Sequence, residues 1–346
     1  MTLFTDSEQS IRSLPLVPNL GDDNTDIFLI FNLHGFYITL RDLAPIRDKS
    51  IILRLSDLWW LTDHCAFPGD CAEFLGGCLR CPNLQNYPPV FRNQKGNNRL
   101  LKRTFIQETC PTVVCPSDYS YDIFNDSGLA RFCRKVVVIP SSADENIFYP
   151  REEFSNTMRN NNGLVALFVA DGGLENLRKG GIALREFIKS KCEKNVGSIN
   201  GKSMLTILVV GGEERGDSFY SCGSTILKIS EIGRKRHEEM GDIYRAVDFT
   251  LLNAWEDNLP NCGVESMACG TPLVLRTVRG LAQLIHKDCI VYDQLSLDFM
   301  ERVINIWSAS SVLKCASNSA RSHYEKNFSK EREAKQWSEL IHDSIR

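Results

Sequence analysis

Asp257 and Glu265 stand eight residues apart in the segment 254–273 (AWEDNLPNCGVESMACGTPL), with Asn258, Pro260 and Asn261 forming a turn between them. The segment follows an apolar run, 248–253 (DFTLLN), so the expected order is strand, turn, helix. Such a turn presents backbone N–H groups and the positive end of the following helix to an anion. Glu265, one turn into the helix, projects towards the same mouth, where its carboxylate suits the hydroxyls of a ribose. Asp257 suits those of a sugar. The plain alternative is a capped helix with two surface carboxylates.

A second segment, 170–181 (ADGGLENLRKGG), also follows an apolar run. Its glycines allow a tight turn from strand to helix, and Arg178 and Lys179 add charge where backbone amides would meet a diphosphate. Taken alone, it reads as an ordinary turn with solvated basic residues. A third segment, 56–89, begins with Asp57 at the end of the apolar run 50–55 and continues through His64 into a cysteine-dense loop. Open α/β sheets place ligands at such strand ends. Asp57 and His64 are therefore candidates to contact a donor sugar or orient an acceptor hydroxyl. The plain alternatives are that Asp57 caps the next turn and that His64 belongs to the loop. Cys65, Cys71, Cys78 and Cys81 fall within 17 residues, the last two as Cys-x-x-Cys. A structural zinc is the first reading of these four, with free thiols or two disulfides as alternatives.

The elements that must position these residues are legible as short apolar runs alternating with amphipathic segments, the pattern of α/β domains with parallel sheets. The runs are 27–32, 50–55, 112–115 and 136–140 in the first half. They are 164–170, 205–211, 225–229, 248–253, 272–275 and 289–291 in the second. Helices are expected at 182–191, 238–246, 263–269 and 298–306, and an amphipathic one at 329–345. The polar, aperiodic stretch 146–162 reads as a linker. This divides the chain into an N-terminal domain (1–148, with a Cys-rich loop at 64–90), a C-terminal domain (149–328) and a closing helix (329–346). The basic stretch 95–102 with Arg103 reads as a solvated helix face, with contact to anionic lipid as its alternative.

Composition narrows the class. Hydrophobic residues are 43% and charged residues 24%, the balance of a soluble globular protein, and the net charge of -3 leaves no basic field to attract nucleic acid. No apolar run reaches the ~20 residues of a membrane span, and the N-terminus lacks the apolar core of a signal peptide. Cys133, Cys192, Cys222, Cys262, Cys269, Cys289 and Cys315 are scattered singly, which points to a reducing, cytoplasmic compartment. No G-x-G-x-x-G follows a strand, which counts against a nicotinamide enzyme.

The string DNLPNCGVESMACGTPLV resembles the signature of glycosyltransferase family 4: an acidic residue, seven intervening residues, a Glu and a Gly-Thr-Pro run. RKG is similar to that family's diphosphate-binding lysine turn. HEEMGDIYRAVDFTLLNA, VVCPSDY, VVVIPSSADENIFYP and FSKEREAKQW follow in matching order, so the resemblance covers roughly residues 26–340. The cysteine-rich stretch and His34-Gly35 resemble a subgroup that assembles bacterial exopolysaccharides and surface glycans.

The resemblance implies a GT-B architecture, two Rossmann-like domains facing a cleft. It also implies retaining transfer of a hexose-type sugar from a UDP- or GDP-sugar to a glycan or lipid-linked acceptor, with no cofactor required. On that basis Lys179 and Arg178 would neutralise the leaving diphosphate, Glu265 would fix the ribose, and Asp257 with Asn258 and Leu259 would orient the sugar. The family's first strand, Gly-Gly loop and early strand–helix units have only about 26 residues here to hold them, and Ser56 stands where many members carry His. The N-terminal domain is therefore expected to be reduced. Activity would be at the inner face of the membrane, with self-association a way to complete the sheet. A non-catalytic sugar-nucleotide-binding or partner subunit is the alternative.

Overall fold

The computed structural model describes residues 25–34, 38–150, 163–194 and 203–345. By its contacts the chain forms two units: Met1–Pro140 together with Ala334–Arg346, and Ser141–Glu333.

The first unit is built on a four-stranded parallel sheet of β1 (Ile27–Ile30), β2 (Ser50–Arg54), β3 (Thr112–Cys115) and β4 (Lys135–Val138), adjacent in that order. The runs SIILR and TVVC are apolar almost throughout because the middle strands are covered on both faces. Among the described residues β1 lies at an edge, and Leu29 and Phe31 are left 42% and 51% exposed. The single turn α1 (Ala72–Leu75), α2 (Asn97–Thr109) and α3 (Asp118–Asp126) follow in the chain among the strands. Ser117 caps α3 by accepting from Ser120 N, while Ser120 Oγ answers the Ser117 N–H. Phe105 and Ile106 of α2 and Phe124 of α3 bury against Leu53, Leu55 and Val113.

The second unit carries a seven-stranded sheet in the order β11-β10-β9-β5-β6-β8-β7. Its elements run β5 (Gly163–Val169), α4 (Gly181–Lys191), β6 (Ser203–Val210), β7 (Glu214–Cys222), β8 (Thr225–Ile232), α5 (His237–Ala246), β9 (Phe249–Leu252), α6 (Asn261–Ala268), β10 (Leu273–Arg276), β11 (Ile290–Tyr292), α7 (Leu297–Trp307) and α8 (Ser310–Asn327). All pairings are parallel except β7 with β8. Alternation along β5 supplies both faces of the sheet: Ala166 and Phe168 enter one core with Phe249, Val303 and Trp307. Val165 and Leu167 enter the other with Tyr244, Met267 and Tyr324. The final helix, α9 (Lys330–Ile345), returns its later turns to the first unit. There Leu340 packs on Ile52, Val114 and Ile139, and Arg54 lies over the Trp337 ring.

Four expectations are corrected. Cys192 and Cys222 are a disulfide pair rather than scattered thiols. β7, whose sequence ERGDSFYSC shows no apolar run, places Ser221 in a bridge with Glu193 and so brings the two sulfurs together. The scattered-thiol argument for a reducing compartment loses those two members. Phe148, assigned to the linker, is fully buried against Tyr244 and His237, while residues 151–162 lie outside the described residues. Lys102 is no solvated cation. It is 1% exposed, with its Nζ donating to the carbonyls of Trp59 (2.7 Å), Thr62 (3.1 Å) and Asp63 (3.3 Å). Helix α8 also had no counterpart among the expected elements. Among the described residues no helix is long and apolar enough to cross a membrane.

Candidate functional site

In the second unit, the chain leaving β5 makes a short 3-10 turn (Gly173–Glu175) and then the turn that carries Arg178 and Lys179. Asn176 Oδ1 accepts from Lys179 N at 2.6 Å and fixes the turn's curvature. Gly180 follows at φ +78°, where a Cβ would stand 1.9 Å from Asn253 O, so only glycine fits between this turn and the end of β9. Asn253 closes the contact: its Nδ2 donates to Gly180 O at 2.8 Å, and its Oδ1 accepts from Tyr292 OH at 2.7 Å. One residue pair further on, Trp255 N donates to Arg178 O at 2.8 Å. The two strand-end turns are thus sewn together by backbone and amide groups.

That seam brings the predicted residues together. Lys179 Nζ lies 2.6 Å and Arg178 Nη1 2.8 Å from the same oxygen, Asp257 Oδ2. Arg178 also reaches Glu256 O at 3.3 Å. The Asp257 backbone is clamped from behind: a Cβ on Gly280 would lie 1.4 Å from Asp257 O. Asn258 is 2% exposed, and among the described residues neither its Oδ1 nor its Nδ2 has a hydrogen-bond partner. An orphaned buried amide costs stability unless something polar reaches it. Leu259 is buried in the core beneath. Helix α6 starts one residue after Pro260, which provides no side-chain cap.

Glu265, on α6, accepts a hydrogen bond from Tyr244 OH at 2.9 Å. Burial raises its carboxyl pKa, and the Tyr244 hydrogen bond with the charges of His237 and Lys179 pulls it part of the way back. Burial and the neighbouring Glu265 push the Tyr244 hydroxyl well above its ordinary range, so it stays a donor. The result is a compact set of two cations, a carboxylate between them, a second carboxylate held by a tyrosine, and a helix N-terminus. Such a set can hold a diphosphate and read hydroxyl groups on either side of it.

In the first unit, Asp57 pairs with His34 rather than with His64. Asp57 Oδ2 is 2.5 Å from His34 Nε2, and Asp57 Oδ1 accepts from Trp59 N at 2.9 Å, capping the turn as well. His34 is 4% exposed between the rings of Trp59 and Tyr87, and its Nδ1 has no partner among the described residues. Gly35 lies outside the described residues. His64 belongs to the cysteine loop: Nδ1 meets Pro88 O at 2.9 Å, Nε2 meets Cys81 Sγ at 3.2 Å, and burial lowers its pKa. Ser56 Oγ donates to Phe31 O.

Cys65, Cys71, Cys78 and Cys81 are all free, and burial pushes the Cys65 thiol up to about 12. Among the described residues no three His, Cys, Asp or Glu side chains are grouped to hold a metal ion. Asn253, Tyr244 and Gly280 escaped the sequence reading. Only Asn253 left a signal, as the polar residue that ends an otherwise apolar run.

No family model matches the chain. Over 105 residues, 27% of its length, the chain is 30% identical to a putative colanic acid biosynthesis glycosyl transferase, WcaC, of Escherichia coli K12. Over 203 residues, 54% of its length, it is 26% identical to mannosylfructose-phosphate synthase of Agrobacterium fabrum. These matches span 26% and 42% of the two relatives' own lengths. Among solved structures, sucrose-phosphate synthase from Thermosynechococcus elongatus superimposes with a TM-score of 0.58 at 14% identity, covering 85% of this chain and 68% of that one. HepE of Anabaena, solved in complex with UDP and with UDP-glucose, gives 0.58 at 14% identity over 91% of this chain and 78% of that one. The fold is that of the GT-B glycosyltransferases. At this identity the likeness to solved structures is one of fold, and the sequence matches cover only part of this chain and less than half of each relative.

Proposed function

We propose that this chain is a retaining glycosyltransferase of family 4 type. It takes a hexose-type sugar from a UDP- or GDP-sugar and passes it to a glycan or lipid-linked acceptor. The observation that carries the proposal is the convergence of Lys179 and Arg178 on Asp257, beside Glu265 and the start of α6. In this reading Lys179 and Arg178 meet the diphosphate, Glu265 the ribose, and Asp257 and Asn258 the transferred sugar. The sequence likeness to a colanic acid biosynthesis transferase supports a surface-glycan acceptor, and a cytoplasmic setting at the inner membrane face goes with it. Asp57, braced by His34, is the first unit's candidate for the acceptor side, and His64 is assigned to the loop's structure.

A thermal-shift panel of UDP-, GDP- and ADP-sugars tests the proposal, with Glu265→Ala alongside. Stabilisation by one sugar nucleotide that disappears in the variant is the expected result. A well-folded chain that no donor stabilises would overturn it. The edge strand β1, with Leu29 and Phe31 exposed, supports a second reading as a partner-dependent subunit. Donor binding with turnover only in the presence of a second protein would favour that reading.

A further inference from the structure

Two cations at a diphosphate site should repel one another, yet Lys179 and Arg178 are held together by a single oxygen, Asp257 Oδ2, at 2.6 and 2.8 Å. Asp257 is 6% exposed, and its backbone carbonyl lies too close to Gly280 for any Cβ there, so the loop that carries the carboxylate is held in place. A carboxylate in that position occupies the place a phosphate oxygen would take between the two cations. Bidentate and charge-assisted bonds of this kind are strong for carboxylate and phosphate alike.

We propose that Asp257 is an internal competitor for the diphosphate: the incoming diphosphate displaces the carboxylate from Lys179 and Arg178, and the released carboxylate then takes up the sugar's hydroxyls. The inference rests on the donor-site reading above and adds a regulation to it. Charge accounts for the coupling. Asp257 cannot serve the cations and the sugar with Oδ2 at once, so it engages the sugar when a diphosphate has taken its place. A nucleoside diphosphate without a sugar displaces Asp257 but gives it nothing to bind. The site therefore favours the intact sugar nucleotide over its own product. Asn258, whose amide atoms have no partner among the described residues, supplies further polar contacts for the same ligand from the same loop.

The test is calorimetric titration with UDP, GDP, ADP and their glucose conjugates on wild type, Lys179→Ala and Asp257→Asn. The neutral variant should bind the plain nucleoside diphosphate on the order of fivefold to tenfold more tightly than wild type, since a competing charge-assisted bond is gone. Its preference for the sugar conjugate over the plain diphosphate should shrink by a similar factor. Formate should weaken diphosphate binding in Asp257→Ala more than in wild type, by restoring a carboxylate to the vacated place. Asp257→Ser provides a second neutral variant if the first does not fold, as judged by circular dichroism.

If wild type binds none of the nucleotides, the donor-site reading itself fails. If wild type binds one of them through Lys179 but the neutral variants bind the plain diphosphate equally or more weakly, only the competition is wrong. Asp257 would then be a direct ligand contact throughout.

Discussion

Asn253 donates its side-chain Nδ2 to Gly180 O at 2.8 Å, and this bond seats the Arg178–Lys179 turn on the end of β9. The bond exists because Gly180 lets the two backbones approach more closely than any residue with a Cβ could.

Gly180→Ala should therefore damage the site more than Asn253→Ala. The left-handed backbone at Gly180 costs an alanine about 1–2 kcal/mol before any clash is counted. Asn253→Ala loses two hydrogen bonds, to Gly180 O and from Tyr292 OH, at about 1 kcal/mol each, so the order is decided by the 1.9 Å approach of a Gly180 Cβ to Asn253 O. Denaturant unfolding should rank the two variants in that order, and both should weaken sugar-nucleotide binding. Equal stability of Gly180→Ala and wild type would contradict the packing described.

Tyr244 should set the pH range over which Glu265 works. Burial raises the Glu265 carboxyl pKa and the Tyr244 hydrogen bond opposes that rise. On the donor-site reading, the ionised Glu265 accepts stronger, charge-assisted hydrogen bonds from a ribose than the protonated form, so nucleotide affinity should fall as pH drops through its raised pKa. In Tyr244→Phe that fall should shift to higher pH, with affinity near neutrality down by roughly fivefold to tenfold. Titrations across pH 5 to 8 check this, and identical profiles for the two proteins would refute it.

Much of this site was legible in the sequence because its parts are local. The strand–turn–helix pattern around Asp257 and Glu265 is continuous in the chain, and so is the turn with Arg178 and Lys179. Their convergence on one carboxylate oxygen was not legible, since it depends on β9 lying beside β5, more than seventy residues away. The same limit explains the Cys192–Cys222 pair and the pairing of Asp57 with His34. β7 stayed invisible because an exposed edge strand needs no apolar run, and α8 buries only Leu313, Ala316, Ala320 and Tyr324 along its 18 residues. Lys102 looked solvated because its sequence neighbours are basic, whereas its position on α2 aims it at three carbonyls.

Lys102 should make the first unit's stability rise with pH above neutrality. Burial lowers its ammonium pKa from the ordinary 10.5 to about 7. Between those values the unfolded chain binds a proton that the folded chain lacks, so stability increases with pH across that window and is flat below it. Lys102→Met should abolish the rise. It should also destabilise by about 1–3 kcal/mol near pH 7, because three buried carbonyls lose the donor they share. Urea unfolding near pH 7 and pH 9 measures both effects.

His286 should make the second unit acid-sensitive. It is 5% exposed, both ring nitrogens lack a partner among the described residues, and burial together with His323 lowers its pKa to about 4. The unfolded chain takes up a proton below about 6.5 while the folded one does not, so stability is lost as pH falls from there towards 4. His286→Leu should flatten that part of the curve while holding stability at pH 7 within about 1 kcal/mol. An unchanged acid limb would assign the sensitivity to other groups.

The most direct test of the donor site is calorimetric titration of wild type and Lys179→Ala with the sugar nucleotide that stabilises the chain best. The account predicts saturable one-to-one binding by wild type and at least about tenfold weaker binding by the variant, with the difference shrinking at high salt. Binding of equal strength in both proteins would contradict it, because Lys179 would then have no part in holding the diphosphate.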